Sequence, residues 1–248
     1  MSVIYILWLR QIKRYYRSKA RMIGSLAQPI LFFIALGFGF GPTFQQAAGG
    51  DYMQFLAPGI ISMSILFTSI FSGIDLIYDK RFGFLKETLV APVSRLAIMF
   101  GRTLGGATNS FLQGVLVLVL TMFFGFRFES FALLPVAVLF MALIALFFTA
   151  LGTAIASFLE DMKAFPLVMN FLVMPIFFLS GALFPLENLP LSIRWFSYID
   201  PLSYGVDGIR SALTDYAFFS LTQNLLFLII SLIIIMILGS YLFKRIQI

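Results

Sequence analysis

Apolar residues gather into six long runs, at positions 22–40, 57–78, 103–124, 131–158, 165–184 and 225–243, separated by shorter polar stretches. A helix needs roughly 20 apolar residues to cross the hydrocarbon layer of a bilayer, and each run is close to that length. Backbone groups inside a bilayer must be hydrogen-bonded within the protein, so the runs are predicted to be transmembrane helices and the fold an all-α membrane protein. Pro29 sits inside the first run and Pro175 inside the fifth, where a kink is expected. Small residues recur at helical spacing in the third run (Gly106, Ser110, Gly114) and the fourth (Ala142, Ala145, Thr149, Gly152, Ala156), which predicts close helix contacts.

The polar stretches carry patterns of their own. Over residues 1–21, Arg10, Arg14, Arg17 and Arg21 form one stripe of a helix, with Tyr5, Trp8, Ile12, Tyr15 and Tyr16 on the other side. This predicts an N-terminal amphipathic helix lying in the membrane interface, where it meets anionic lipid or a partner, or serves as a plain topological anchor. Residues 79–95, DKRFGFLKETLVAPVSR, are the longest charged interruption between runs. Phe82, Leu85 and Leu89 fall on one face, predicting a short helix over 79–90 with Asp79 as N-cap and Pro92 beyond its end. Such a helix is either an interfacial surface element or a handle for a soluble partner. Residues 186–219 are too polar to span and read as two short amphipathic helices broken at Asp200 and Pro201, dipping into the interface without crossing it. Within the second run Ser64, Thr68, Ser72, Asp75 and Asp79 share one side, as a water-accessible path or as interhelical hydrogen bonding.

Composition narrows the function. The chain is 60% apolar and 11% charged, against roughly 25% charged in soluble proteins. Six spans use up most of its 248 residues, leaving no room for a soluble catalytic domain. Cys and His are both absent, which excludes disulfides, thiol chemistry, Cys/His zinc sites and histidine general bases. With six spans both termini lie on one side, and all 17 Lys and Arg except Arg127, Arg194 and Arg210 are on it. The positive-inside rule makes that side cytoplasmic, so the formal charge of +6 reflects topology and not nucleic-acid binding. The chain contains no G-x-x-x-x-G-K-[ST] phosphate loop, no H-E-x-x-H and no G-x-S-x-G. An ion-coupled carrier or membrane enzyme would have Asp75 as its main foothold. Any energy for transport must come from another chain.

Four stretches, taken in order, carry a family resemblance: FLAPGIISMS at 55–64, KETLVAPVSR at 86–95, MPIFFLSGALFPLENLP at 174–190 and YIDPLSYGVDGIR at 198–210. Together they resemble the membrane subunit (permease) of a type-2 ABC exporter over essentially the whole chain, and within that family the daunorubicin-resistance-like multidrug permeases. The resemblance implies two permeases, identical or closely paralogous, in a prokaryotic cytoplasmic membrane with cytoplasmic termini. It implies two separate ATP-binding-cassette ATPase subunits that hold ATP and Mg, with no cofactor on this chain. Residues 79–90 would be the coupling helix, Phe82, Leu85 and Leu89 entering the ATPase with Arg81 and Glu87 at the rim. Arg10, Arg14 and Arg17 would touch the same subunit. Spans two and five would line the translocation path, placing Ser64, Thr68, Ser72, Asp75, Asn170 and Pro175 along it, and residues 186–215 would cap its outer end. The implied cargo is an amphiphilic drug- or lipid-like molecule, with lipid-linked polysaccharide as the alternative.

Overall fold

A computed structural model describes residues 2–48, 50–85, 88, 93–129, 131–159, 161–214 and 216–244. They form helices and no strands. The chain opens with α1 (Val3–Arg17), capped by the Ser2 hydroxyl, which accepts from the Tyr5 amide at 3.3 Å. A single non-helical residue, Ser18, separates α1 from α2 (Lys19–Ala48). Helix α2 runs through Pro29 and Pro42, so most of the stretch expected to be a polar loop after residue 40 is helical. Neighbouring helices and local adjustment let membrane helices carry proline in this way.

Helix α3 (Tyr52–Phe71) begins at an Asp51 cap, whose carboxylate accepts from the Met53 amide at 2.9 Å. It breaks at Ser72–Gly73 and resumes as α4 (Ile74–Arg81). The break coincides with a close helix approach: a Cβ on Gly73 would lie 2.5 Å from the Gly152 carbonyl oxygen. Helix α5 (Arg95–Phe123) starts eight residues ahead of the expected span, from a Ser94 cap. The apolar run had appeared to start after Arg102 because charge normally ends a span; here Arg102 is buried and paired.

Helix α6 (Leu134–Phe158) is followed by a broken fifth span. That span comprises a 3-10 turn (Met162–Ala164), α7 (Phe165–Val168), a π-helical turn (Met169–Val173) and α8 (Met174–Leu179). The disruption expected of Pro175 thus falls on the five residues before α8, where the wider turn absorbs the missing backbone donor. After a 3-10 turn (Leu186–Asn188) come α9 (Leu191–Ser197) and α10 (Pro201–Leu213), divided at Asp200 and Pro201 as the sequence predicts. Helix α11 (Leu221–Lys244) is the last described element.

Among the described residues, six helical stretches are long and apolar enough to cross a membrane. Helix α3 belongs to the most deeply buried span and packs against α2, α5, α6 and α10. Lipid is as apolar as leucine, so these contacts depend on close fit more than on removal of water. The two small-residue stripes provide that fit. Gly106 lies against Ser72 and Thr149, Gly114 against Ile65 and Met141, and Gly152 against the Ile70 backbone. Ser110 accepts from the Ser69 hydroxyl at 2.8 Å.

Helices α9 and α10 differ from each other more than the sequence suggests. Leu191, Trp195, Phe196 and Ile199 of the α9 region are exposed, as an interfacial element requires. Helix α10 is almost wholly buried against α6, α11 and α3. Its polar residues face protein partners, so its mixed composition marks an internal network and not a wet face.

Candidate functional site

Helix α1 lies along α5, and glycine makes the approach possible. A Cβ on Gly105 would meet the Gln11 Cβ at 2.5 Å, and one on Gly101 the Leu7 Cβ at 2.9 Å. Trp8 Nε1 donates to Thr108 Oγ1 at 3.0 Å, and the Tyr15 hydroxyl donates to Gln113 Oε1 at 2.6 Å. Two of the aromatics expected in the headgroup layer are therefore committed to α5, while Tyr5 and Tyr16 stay exposed. Asn109 and Gln113 do make interhelical bonds, but to α1.

Seated on α5, α1 turns its arginines toward α4. Arg10 Nη2 is 3.3 Å from Asp79 Oδ1, and Arg14 reaches Asp79 at 3.4 Å and Asp75 at 3.5 Å. The other Asp79 oxygen accepts from the Arg102 guanidinium of α5. Asp79 and Arg102 are 2% and 5% exposed. Such a pair is tolerated in a low-dielectric setting only when both charges are matched and hydrogen-bonded. Next to it, Lys80 Nζ donates to the Ala156 carbonyl at 3.2 Å and to that of Ser157, at the C-terminus of α6 where the helix dipole favours a cation. Residues from α1, α4, α5 and α6 are thereby tied together at one end of the bundle.

Asp79 is therefore no N-cap: it lies within α4, and its carboxylate is occupied by three arginines. The expected single helix over 79–90 is interrupted as well. Helix α4 ends at Arg81, and Gly83 adopts φ +79, a left-handed conformation that favours glycine. Helical residues resume at Phe84 and Leu85. The break changes which side chains face out. Phe82 and Phe84 are exposed and Leu85 is buried, so Phe82 and Leu85 do not share a face. Arg81 is exposed, while Glu87 and Leu89 lie outside the described residues.

Between α1 and this segment runs a groove of about 580 Å³, with Arg10, Lys13, Arg14 and Arg17 on one wall and Tyr78, Phe82 and Phe84 on the other. Tyr78 and Phe82 stack with ring centroids 6.1 Å apart, and the Arg10 guanidinium lies 5.8 Å from the Phe84 ring centre. A cationic wall facing exposed aromatics suits a protein surface that brings carboxylates and an apolar side chain.

The residues expected along a path separate into three places. Ser64 and Thr68 line a cavity of about 370 Å³ between α2 and α3, with Ser25, Gln28, Phe67 and Phe71. The Ser64 hydroxyl is buried there and has no hydrogen-bond partner among the described residues. Ser72 instead donates to the Ser69 carbonyl at 2.6 Å, and Asp75 pairs with Arg14. Asn170 and Pro175 are exposed on the fifth span and do not line that cavity.

Sequence reading missed Arg102 as a site residue. The signal was available: one basic residue at the edge of an apolar run, 23 positions from a carboxylate at the edge of another. It likewise missed Phe84, which the single-helix reading placed off the working face.

The ABC-2 type transporter family profile matches residues 2–214. The putative transport permease ycf38 of Cyanophora paradoxa is 31% identical, covering 98% of this chain and 88% of its own length. The inner membrane transport permease YadH of Escherichia coli K12 is 27% identical, covering 95% and 90%. Nodulation protein J of Rhizobium leguminosarum bv. trifolii is also 27% identical, covering 97% and 90%. A six-span bundle with one tightly bound basic end and a profile match over most of its length places this chain in the ABC-2 type transporter family, as a transport permease of an ABC system.

Proposed function

We propose that this permease exports amphiphilic, drug- or lipid-like molecules from the cytoplasm, driven by a separate ATPase that docks in the groove between α1 and the segment after α4. The observation that carries the reading is that groove: exposed Phe82 and Phe84 opposite a four-cation wall. Phe82 and Arg81 are the residues for the ATPase to grip, with Arg10, Arg14 and Arg17 at the side. Leu85, buried, holds the segment to the bundle from beneath. ATP and Mg belong to the partner.

A push on this segment would not be lost in a loose loop. Asp79 links α4 to α1 and α5, so α1, α4 and α5 move as one body and shift α3, which continues α4 beyond the Gly73 break. The 370 Å³ cavity, with aromatic walls and a few hydroxyls, supports a compact amphiphile over a long glycan. The first, fifth and sixth spans are the least buried in the chain, which supports contacts with lipid and a second permease copy.

Cross-linking tests the docking. Cysteines at Phe82 or Phe84 should cross-link to a co-expressed ABC ATPase, and one at Leu191 should not. Equal yields at all three would remove the docking reading. In nanodiscs, amphiphilic drugs should stimulate the ATPase of the assembled pair; stimulation by lipid-linked oligosaccharide alone would transfer the assignment to glycan export.

A further inference from the structure

At the end of the bundle opposite the arginine–aspartate cluster is a smaller cavity of about 230 Å³. Arg210 of α10 lines it, 5% exposed, with its guanidinium carbon 3.8 Å from the ring centre of Phe55. Arg210 Nε donates to the Phe55 carbonyl at 3.3 Å and Nη2 to that of Gly181 at 2.9 Å. Among the described residues nothing accepts from Nη1, and no carboxylate lies within ion-pair distance of the guanidinium. Asp207, one turn away, also lines the cavity, but its oxygens are already engaged: it accepts from the amides of Phe218 and Phe219 at 2.8 and 2.9 Å and from Asn224 Nδ2 at 2.9 Å. Burial pushes the Arg210 pKa down to about 10, with Asp207 and then Glu187 opposing the shift.

Two carbonyl bonds suffice to join α10 to α3 and the Gly181 turn. They leave a largely buried guanidinium whose remaining donors open on an aromatic-walled cavity, a position that an anion can complete with charge-assisted hydrogen bonds. The surroundings restrict which anion. Glu187, exposed, also lines the cavity and would repel a simple anion while attracting a cationic group attached to it. Next to Glu187, Arg194 of α9 donates to the Leu189 carbonyl at 3.1 Å, so the exposed Trp195, Phe196 and Ile199 of the α9 region are moored beside the Glu187 turn. Aromatics of that kind lie at headgroup level in a bilayer.

We propose that this cavity binds a zwitterionic phosphate-ester headgroup of the phosphoethanolamine type, its phosphate on Arg210 and its ammonium toward Glu187. The headgroup belongs to a membrane lipid or to a soluble phosphate ester, and chain length distinguishes the two. The site stands apart from the ATPase groove and is read without an ATPase, so either assignment can fail alone.

The test is a 31P NMR titration of the purified chain in a non-ionic detergent with dihexanoyl phosphatidylethanolamine, dihexanoyl phosphatidylglycerol and O-phosphoethanolamine. The ethanolamine lipid should broaden at lower concentration than the glycerol lipid. Binding of O-phosphoethanolamine equal to that of the lipid identifies a headgroup-only site, and binding of the lipid alone identifies a membrane-lipid site; both support the chemistry. Arg210→Lys should weaken binding about tenfold, the loss of one charge-assisted bond. Glu187→Gln, at an exposed position that leaves the fold intact, should erase the preference for ethanolamine over glycerol. No broadening by any of the three probes, or an unchanged preference in Glu187→Gln, overturns the proposal, and the second outcome does so even where Arg210→Lys fails to fold.

Discussion

Asp200 shows how one side chain can have two jobs that conflict. As the cap of α10 it accepts from the Leu202 amide at 2.8 Å and the Ser203 hydroxyl at 3.3 Å, bonds that favour the carboxylate. Burial outweighs them and pushes its pKa up to about 7. The folded chain therefore holds this proton between roughly pH 4 and 7, where the unfolded chain has released it. Stability from this group is present at acid pH, falls as pH rises through that window and is flat above it. Melting of the detergent-solubilised protein should be higher at pH 5 than at pH 8, and Asp200→Asn should flatten that difference. An unchanged pH dependence in the variant would show that Asp200 is not the titrating group. The break at Asp200 and Pro201 was legible in the sequence; the cap and the burial that reverses the acidity of Asp200 came only with the folded chain.

At the scale of elements, the seating of α1 on α5 depends on a two-glycine track. Gly101 and Gly105 are one turn apart, and α1 backbone or Cβ atoms occupy the space a side chain would need. Gly105→Val should lift α1, at a cost of about 1–3 kcal/mol for overpacking. Trp8 reports the change: with Trp195→Phe as background, its emission should shift to the red as its bond to Thr108 is lost. Gly39→Val, where nothing lies within 4 Å of the added carbon, is the control and should leave emission unchanged. Equal spectra for both variants would show that the track does not hold α1. The stripe of Gly106, Ser110 and Gly114 was readable because it repeats every fourth residue. Gly101 and Gly105 follow the same spacing, but Arg102 between them placed this turn outside the apolar run. The break at Gly83 was missed for another reason: the apolar spacing of Phe82, Leu85 and Leu89 satisfies a helical period, and periodicity is blind to one glycine at positive φ.

Across the molecule, Asp79 joins segments centred on residues 10–14 and 102. The contacts differ in weight. Arg102 and Asp79 have side chains 4% and 3% exposed, so breaking that pair should cost about 3–5 kcal/mol. The Arg10 side chain is 40% exposed, and its pair with Asp79 is screened to about 1 kcal/mol or less. Arg102→Met should accordingly lower the melting temperature far more than Arg10→Met, and in the assembled transporter Asp79→Asn should leave ATP hydrolysis running while transport falls. Similar melting shifts for the two arginine variants would contradict this ranking.

Hydropathy run lengths, charge placement and helical spacing determined the number of spans, the two short helices after the fifth and the packing seams. Each is a local property, set by what a bilayer demands of the residues within a few turns. Tertiary structure alone decided where the charges go. Arg102 became an interior residue, Asp79 changed from a cap to a junction, Trp8 and Tyr15 of α1 turned from lipid to α5, and Arg210 arrived beside a cavity with donors to spare. A buried charge is tolerated only beside its partner, and here the partners lie on other helices, so only the packed bundle brings them together.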